Sequence, residues 1–581
     1  MPLGSALNSL LLFAKHLDPN RSTVMPVKKL DYDKPVIFPR DGKINFLERD
    51  IPENHGYSKE YIDSFFREIN SDLSIRANRL IIVKDNKVIG EQYLTPYVKD
   101  CWDCVFSSSK TLVSLALGLL YDEGKVDLDL PVCKILKNER TIGYQKNKKI
   151  TIRHLLTMTT GNSFNEAESA SSLHWVKSYF DSNQKFKLGT RFEYNSMNTY
   201  IISVIVETLA KRPFKELVQE KIFTPLGISE THLDVSLEGY FKGGWGLYIL
   251  PEDMAKLGIL VSQYGEYNGK RIISKEWIKM MSSKQFDCRD NGRFDYGFQM
   301  WVDEKSQVCA FNGMYDQNIL VYRKSGIVLV TCCANNEVFQ GSNMWKIANK
   351  YFSNEMMGEF QLYEYNGNRD IINNDSLLYY YDLIANKDYK PVNRISNSCG
   401  ILPIILQNEM GTYTKGIKNI VFRKDENNYA LCISENRKVY EIKFDFDKGI
   451  RQTLFLYGNL YEVACDARFV LSGRGDPYLV IRLYFLEFSS SRYFTVKFGK
   501  DFDVVSIEES ENPGFDFVMS IIEIQDEPVK KFLRNTVKNI NTSYLNGAIR
   551  NIFSPSFTAV HGESKINKYL QNNGEKPVTK K

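Results

Sequence analysis

Apolar positions along this chain change their spacing in a way that separates helices from strands. Residues 105–120 read VFSSSKTLVSLALGLL. There Leu112, Val113, Leu115, Ala116, Leu119 and Leu120 recur at three- and four-residue intervals with few polar interruptions, which predicts a helix buried on most sides. The Ser triplet ahead of it predicts the helix start, where a hydroxyl can satisfy orphan N–H groups. Helical spacing also marks 58–69, 150–158, 199–210, 214–223, 252–261 and 275–281, with Pro225 and Gly227 stopping the run that begins at Phe214. Strand patterning marks 79–84 and 88–93 around Asp85-Asn86-Lys87, and 317–322 and 327–333 around Lys324-Ser325-Gly326. Both are hairpin signals, and the apolar, β-prone arms of the second belong inside a sheet.

Near residue 358 the pattern changes. A Tyr-rich connector is followed by strand-like segments at 420–423, 429–434, 439–446, 478–488 and 492–498, joined by short polar links. They predict a separate antiparallel β domain, sandwich or barrel-like. The expected organisation is an N-terminal arm (1–55), a mixed α+β domain (56–357), a connector (358–390), the β domain (391–530) and a polar tail (531–581). A chain of 581 residues exceeds one ordinary core, and no repeat period is visible.

Charge narrows the function. The 75 basic and 70 acidic residues leave a net +5. They are interspersed, which argues against nucleic-acid or membrane-surface binding. No apolar run nears the roughly 20 residues of a membrane span. Residues 10–14 are too short, and lack a preceding basic residue, for a secretory signal; the expectation is a cytoplasmic protein. Ten scattered Cys, two of them the adjacent Cys332 and Cys333, suit reduced thiols better than a disulfide framework. Cys101 and Cys104 have redox-pair spacing, but no second pair accompanies them for zinc.

A buried helix that opens with hydroxyls and a Lys needs the Lys to be paired or functional. Ser107 and Lys110 are three apart, hence on one helix face, and the positive helix end favours an alkoxide there. As a bare pattern Ser-x-x-Lys is weak: Ser182 and Lys185 repeat it in a polar stretch, and a cap followed by an ordinary Lys satisfies it equally.

The order of motifs is more specific. It comprises Ile82-Val83 with Glu91-Gln92-Tyr93, Phe106-Ser107-Ser108-Ser109-Lys110, Gly124 to Leu128, and Ile150 to Met158. Gly189 to Ser196, Pro225-Leu226-Gly227-Ile228, Gly243-Gly244-Trp245-Gly246-Leu247, Glu252 to Lys256 and Tyr296-Gly297 follow. Together they make residues 79–335 resemble the β-lactamase and penicillin-binding serine hydrolases, in the branch of class C β-lactamases, esterases and 6-aminohexanoate-oligomer hydrolases. The β domain resembles a C-terminal extension carried by some members. The resemblance implies an antiparallel sheet flanked by helices, with a helical subdomain over 150–223. It implies Ser107 as nucleophile, with Lys110 and Tyr194 as proton shuttles. Ser196 stands where the β-lactamases usually carry Asn. Phe311-Asn312-Gly313 matches the third motif but lacks its cation, which disfavours carboxylate-bearing penicillin-type substrates. Gly313 would let ligand approach the backbone, Met314 N–H would join Ser107 N–H as oxyanion hole, and Asn312 would hydrogen-bond substrate.

The implied function is hydrolysis of an amide or ester, from a small or peptide-like substrate, through an acyl-enzyme that calls for no metal or cofactor. A homo-oligomer is compatible with it. A Ser/His/Asp hydrolase is less well supported, since no Gly-x-Ser-x-Gly elbow occurs and the six His lack an obvious partner; His154 reads as structural. The alternative from another class is a binding or scaffold protein that keeps the fold with weak or no turnover. Arg474-Gly475-Asp476 reads as a turn between strands.

Overall fold

The computed structural model describes residues 44–137, 147–169, 172–228, 230–288, 294–336, 342–354, 374–392, 400–409, 414, 416–426, 428–435, 438–514 and 554–562. These fall into two compact units that divide near residue 365.

The first unit is built on a seven-stranded antiparallel sheet. Its strands are β1 (Ala77–Lys84), β2 (Lys87–Tyr93), β3 (Asp295–Tyr296), β4 (Trp301–Asp303), β5 (Val308–Gly313), β6 (Gln317–Tyr322) and β7 (Val328–Cys333), in the order β2-β1-β7-β6-β5-β4-β3. The apolar 317–333 hairpin therefore lies centrally, as its composition predicts. Strand alternation sends Ile81, Val83, Val328 and Val330 into one core, and Leu80, Ile82 and Leu329 into the other. The second core is covered by α1 (Lys59–Ser71) and the later helix Met344–Phe352, through Tyr61, Phe65, Tyr351 and Phe352. The first core holds α2 (Ser109–Asp122), in which every residue from Ser109 to Leu120 is buried. Around α2 stand α3 (Ile152–Leu156), α4 (Glu166–Ser169), α5 (Trp175–Asp181), α6 (Ser196–Ala210) and α7 (Pro251–Ser262). Predicted elements recur with ends moved by a few residues. The run from Phe214 is a helix to Val218 that continues as a π turn, Gln219–Phe223.

One detail departs from expectation. The Ser triplet does not cap α2: Ser107 and Ser108 belong to a 3-10 turn, Phe106–Ser108, and no side chain caps the helix. The hydroxyls donate to backbone carbonyls instead, Ser108 to Gln317 at 2.6 Å and Ser109 to Phe106. Residues 44–55, read as arm, are held to the unit: Leu47 N–H and the Arg49 guanidinium both reach the buried Glu252 carboxylate. The other arm residues, 1–43, lie outside the described residues.

The second unit is a ten-stranded antiparallel sheet. Its strands are β8 (Asp388–Pro391), β9 (Ile417–Asp425), β10 (Asn428–Glu435), β11 (Lys438–Phe444), β12 (Ile450–Leu456), β13 (Asn459–Leu471), β14 (Pro477–Phe485), β15 (Ser490–Phe498), β16 (Val504–Asn512) and β17 (Ser556–His561). The order is β11-β10-β9-β8-β17-β16-β15-β14-β13-β12. Its two outer strands meet across Gln452, whose amide both accepts from Lys443 N–H (3.0 Å) and donates to Lys443 C=O (2.6 Å). The sheet is thus a nearly closed barrel, with alternate residues such as Leu479, Ile481, Leu483 and Phe485 turned inward. Two boundaries read from the sequence need correction. The connector supplies β8, and the polar tail supplies β17, which sits between β8 and β16; six residues among polar neighbours carry too short a pattern to reveal this. Among the described residues no helix is long and apolar enough to cross a membrane.

Within the barrel, one group of aromatic rings gathers around Tyr381 and a group of buried charges around Arg492. Tyr381, from the helix Leu378–Ile384, packs edge-on against Phe422, Tyr429, Phe444 and Phe446. At the far end of β10, Glu435 joins Glu509, Glu511 and Arg492, all buried. Arg492 Nη1 lies 3.1 Å from Glu511 and 3.7 Å from Glu509.

Candidate active site

Within the triplet, Ser107 is the residue that reaches the surface, whereas Ser108, Ser109 and Lys110 are buried. The 3-10 turn achieves this by putting Phe106 at φ 46°, a conformation that L residues with bulky side chains rarely adopt. The Phe106 ring is held edge-on to Tyr315 at 5.1 Å. Lys110 Nζ then lies 2.8 Å from Ser107 Oγ and 2.7 Å from the carbonyl oxygen of Gly244. Burial pushes the Lys110 ammonium down to about 7, opposed by the carboxylate of Glu166. Its Nζ stands 4.8 Å over the Tyr194 ring.

Tyr194 is brought in by the turn before α6. Asn195 caps that helix, accepting from Met197 N–H at 2.9 Å, while its own amide donates to the carbonyls of Asn162 and Phe164. The Tyr194 ring stacks on Trp301 with centroids 5.7 Å apart, and its hydroxyl hydrogen-bonds Ser107. Enclosure raises the phenol above its ordinary value, and the bond to Ser107 opposes that rise. Three sequence-predicted residues, Ser107, Lys110 and Tyr194, are therefore gathered around one hydroxyl.

The remaining candidates divide. Ser196 is the first residue of α6; it packs against Gly244, where a Cβ would strike the Ser196 side chain. Gly313 ends β5 beside the 3-10 turn, and a Cβ there would run into the Val105 carbonyl oxygen. Met314 follows immediately. Phe311 is buried in the core that holds α2. Asn312 faces the other way along the strand, and its amide donates to Asn318 at 2.6 Å. The Asn318 amide in turn reaches Thr331 and Asp316.

Two contributors escape a reading of spacing. Glu166 accepts from Ser196 N–H at 2.6 Å. Gln299, at φ 59°, ties α2, α3 and α6 together: its side chain bonds Thr199 and the Leu155 and Leu156 carbonyls, and its own carbonyl accepts from Thr111. The one signal for it in the sequence is its place two residues after the Tyr296-Gly297 motif. His154 completes a capping box with Thr151, a structural place. Cys101 and Cys104 are buried on either side of Asp103, which pairs with Arg79 at 2.5 Å. Among the described residues no group of three or more His, Cys, Asp or Glu is placed to hold a metal ion.

Residues 62–343 match the family model described as Beta-lactamase. The chain is 22% identical over 280 residues to the 6-aminohexanoate-dimer hydrolase of Paenarthrobacter ureafaciens, covering 43% of this chain and 70% of that protein. It is 24% identical over 189 residues to Protein flp of Staphylococcus aureus (strain COL), covering 30% and 38%. Among solved structures, FmtA from Staphylococcus aureus superposes with a TM-score of 0.42 at 18% identity, over 55% of this chain and 96% of that one. The domain spanning residues 62–343, just under half of the chain, is thus of the beta-lactamase family.

Proposed function

We propose that the first unit hydrolyses an amide or ester through an acyl-enzyme on Ser107. The observation that carries this reading is the buried Lys110 amine 2.8 Å from the half-buried Ser107 hydroxyl. A Lys that titrates near 7 has a populated neutral form at physiological pH, and that form can accept the Ser107 proton. As the hydroxyl oxygen bonds to the carbonyl carbon, the carbonyl oxygen becomes an oxyanion, for which the N–H groups of Ser107 and Met314 are the candidate donors. The leaving group departs with a proton from Tyr194, which regains one from the Lys110 ammonium. Water then adds to the acyl carbon, giving up its proton by the reverse route, and the ester bond to Ser107 breaks. Phe311 supplies no charge and Asn312 is bonded to Asn318, so a substrate without a carboxylate beside the scissile bond fits best. This is consistent with an amide- or ester-cleaving relative such as the 6-aminohexanoate-dimer hydrolase.

Intact mass after exposure to a fluorophosphonate, and separately to a penicillin, tests the reading. A single fluorophosphonate adduct on the wild type, absent from Ser107→Ala, is expected, with little or no penicillin adduct. No adduct from either reagent would turn the assignment toward a binding protein of this fold.

A further inference from the structure

We propose that Glu166 is a positioning residue for this site: its carboxylate, fixed on the first amide of α6, sets the pH at which Lys110 becomes a base. The inference rests on the reading of Ser107 and Lys110 given above. Glu166 lies on α4, thirty residues before the helix it binds, and holds Ser196 N–H at 2.6 Å. Ser196 packs directly on Gly244, and the Gly244 carbonyl accepts from Lys110 at 2.7 Å. The three contacts link an acidic side chain to the buried amine through two residues, Ser196 and Gly244.

The surroundings of Lys110 make that charge count. From the turn it faces the Ser107 hydroxyl, from the 243–246 loop the neutral Gly244 carbonyl, and from the turn before α6 the Tyr194 ring and phenol. Among the described residues, Glu166 is the charged group acting on it. Burial drives Lys110 toward the neutral amine, and an anion nearby favours the ammonium. Without the anion, desolvation would act unopposed, and a weaker base would remain. With it, the amine titrates where it can both take a proton from Ser107 and hand one back. The Ser196 amide fixes one carboxylate oxygen, so the charge cannot swing away into water.

The pH dependence of Ser107 labelling by a fluorophosphonate separates charge from scaffold. Glu166→Gln keeps an oxygen for Ser196 N–H and removes the charge; Glu166→Ala removes both. The expected result is an acid limb near pH 7 in the wild type. It should move down by roughly half to one pH unit in both variants, so that each labels about 3- to 10-fold faster than wild type on the acid side. Glu166→Ala alone should also lower the thermal midpoint. A limb that stays at the wild-type position in Glu166→Gln overturns the inference, whatever Glu166→Ala does, because the carboxylate is then only a cap. Wild-type protein that is not labelled at Ser107, or is labelled without a limb between pH 5 and 9, instead overturns the acyl-enzyme reading on which the inference rests.

Discussion

Both units bury charge, and two of the buried cations, Arg492 in the barrel and Lys110 in the first unit, are held in opposite ways. In the barrel, Arg492 lies fully buried beside Glu509 and Glu511, and the cluster is tied to neighbouring backbone. Glu509 accepts Gly400 N–H, Glu435 accepts Ile401 N–H, Glu511 accepts Ile404 N–H, and Arg492 donates to the Leu402 carbonyl. The cluster is a set of pins for the apolar segment 400–409. In the first unit, Lys110 is just as buried but touches only a hydroxyl, a carbonyl and a ring. A buried charge tied into the backbone of a neighbouring segment holds a fold together. A charge left in a dry place with one reactive neighbour is the more chemically useful arrangement, because its proton is held loosely.

The sharpest way to break this contrast is Lys110→Met. It should slow fluorophosphonate labelling of Ser107 by about 10^3-fold, while the thermal midpoint stays level or rises, because a buried, poorly paired amine is replaced by an apolar chain. A large drop in midpoint would place Lys110 with Arg492 as a structural charge. Arg492→Met should behave in the reverse sense. Stranding Glu509 and Glu511 should cost about 3 kcal/mol at pH 8, read from hydrogen exchange of the β15 and β16 amides, with labelling of Ser107 unchanged. The loss should shrink at pH 5, where the stranded carboxyls can protonate.

A smaller effect follows in the wild type. Burial pushes Glu509 up to about 8 and Glu511 up to about 7, outweighing the attraction of Arg492. A carboxyl that holds its proton more tightly folded than unfolded stabilises the fold most below its unfolded value. That stability is lost as pH rises through the folded value. Barrel protection should therefore decline between about pH 4.5 and 8, and Glu509→Gln should flatten the decline. A profile that rises across this range would mean that both carboxylates are ionised against Arg492. The smallest change is at the barrel seam: Gln452→Ala should cost about 1 kcal/mol and speed exchange at Lys443 alone.

How far the chain could be read from its pattern differs between the units for physical reasons. Helical spacing brings Ser107 and Lys110 together within one turn, so a local motif carries the pair, and Tyr194 was reachable through the ordered series of motifs around it. Glu166 was not, because its partner lies thirty residues away and loop spacing does not fix where an intervening segment folds back. In the barrel, β14 shows clean alternation, whereas β13 escaped notice. Its Glu462 and Asp466 look like solvent-facing charges but are buried, paired with Arg451 and Arg482. Local charge does not reveal a cross-strand partner that only folding supplies.

The place of β17 has a consequence for how the barrel is made. β8 is complete at Pro391, but its neighbour starts only at Ser556, more than 150 residues later. At roughly 5–20 residues per second, a ribosome needs on the order of ten seconds to deliver that strand. Until then β8 and β16 both present open edges, the usual template for unwanted pairing between nascent chains. Slowing synthesis ahead of residue 556 should therefore raise the aggregated fraction, and supplying the 556–561 strand in trans should lower it. The last of the described strands to emerge acts as the latch of the barrel, and its arrival time sets how long the growing chain must be kept from its neighbours.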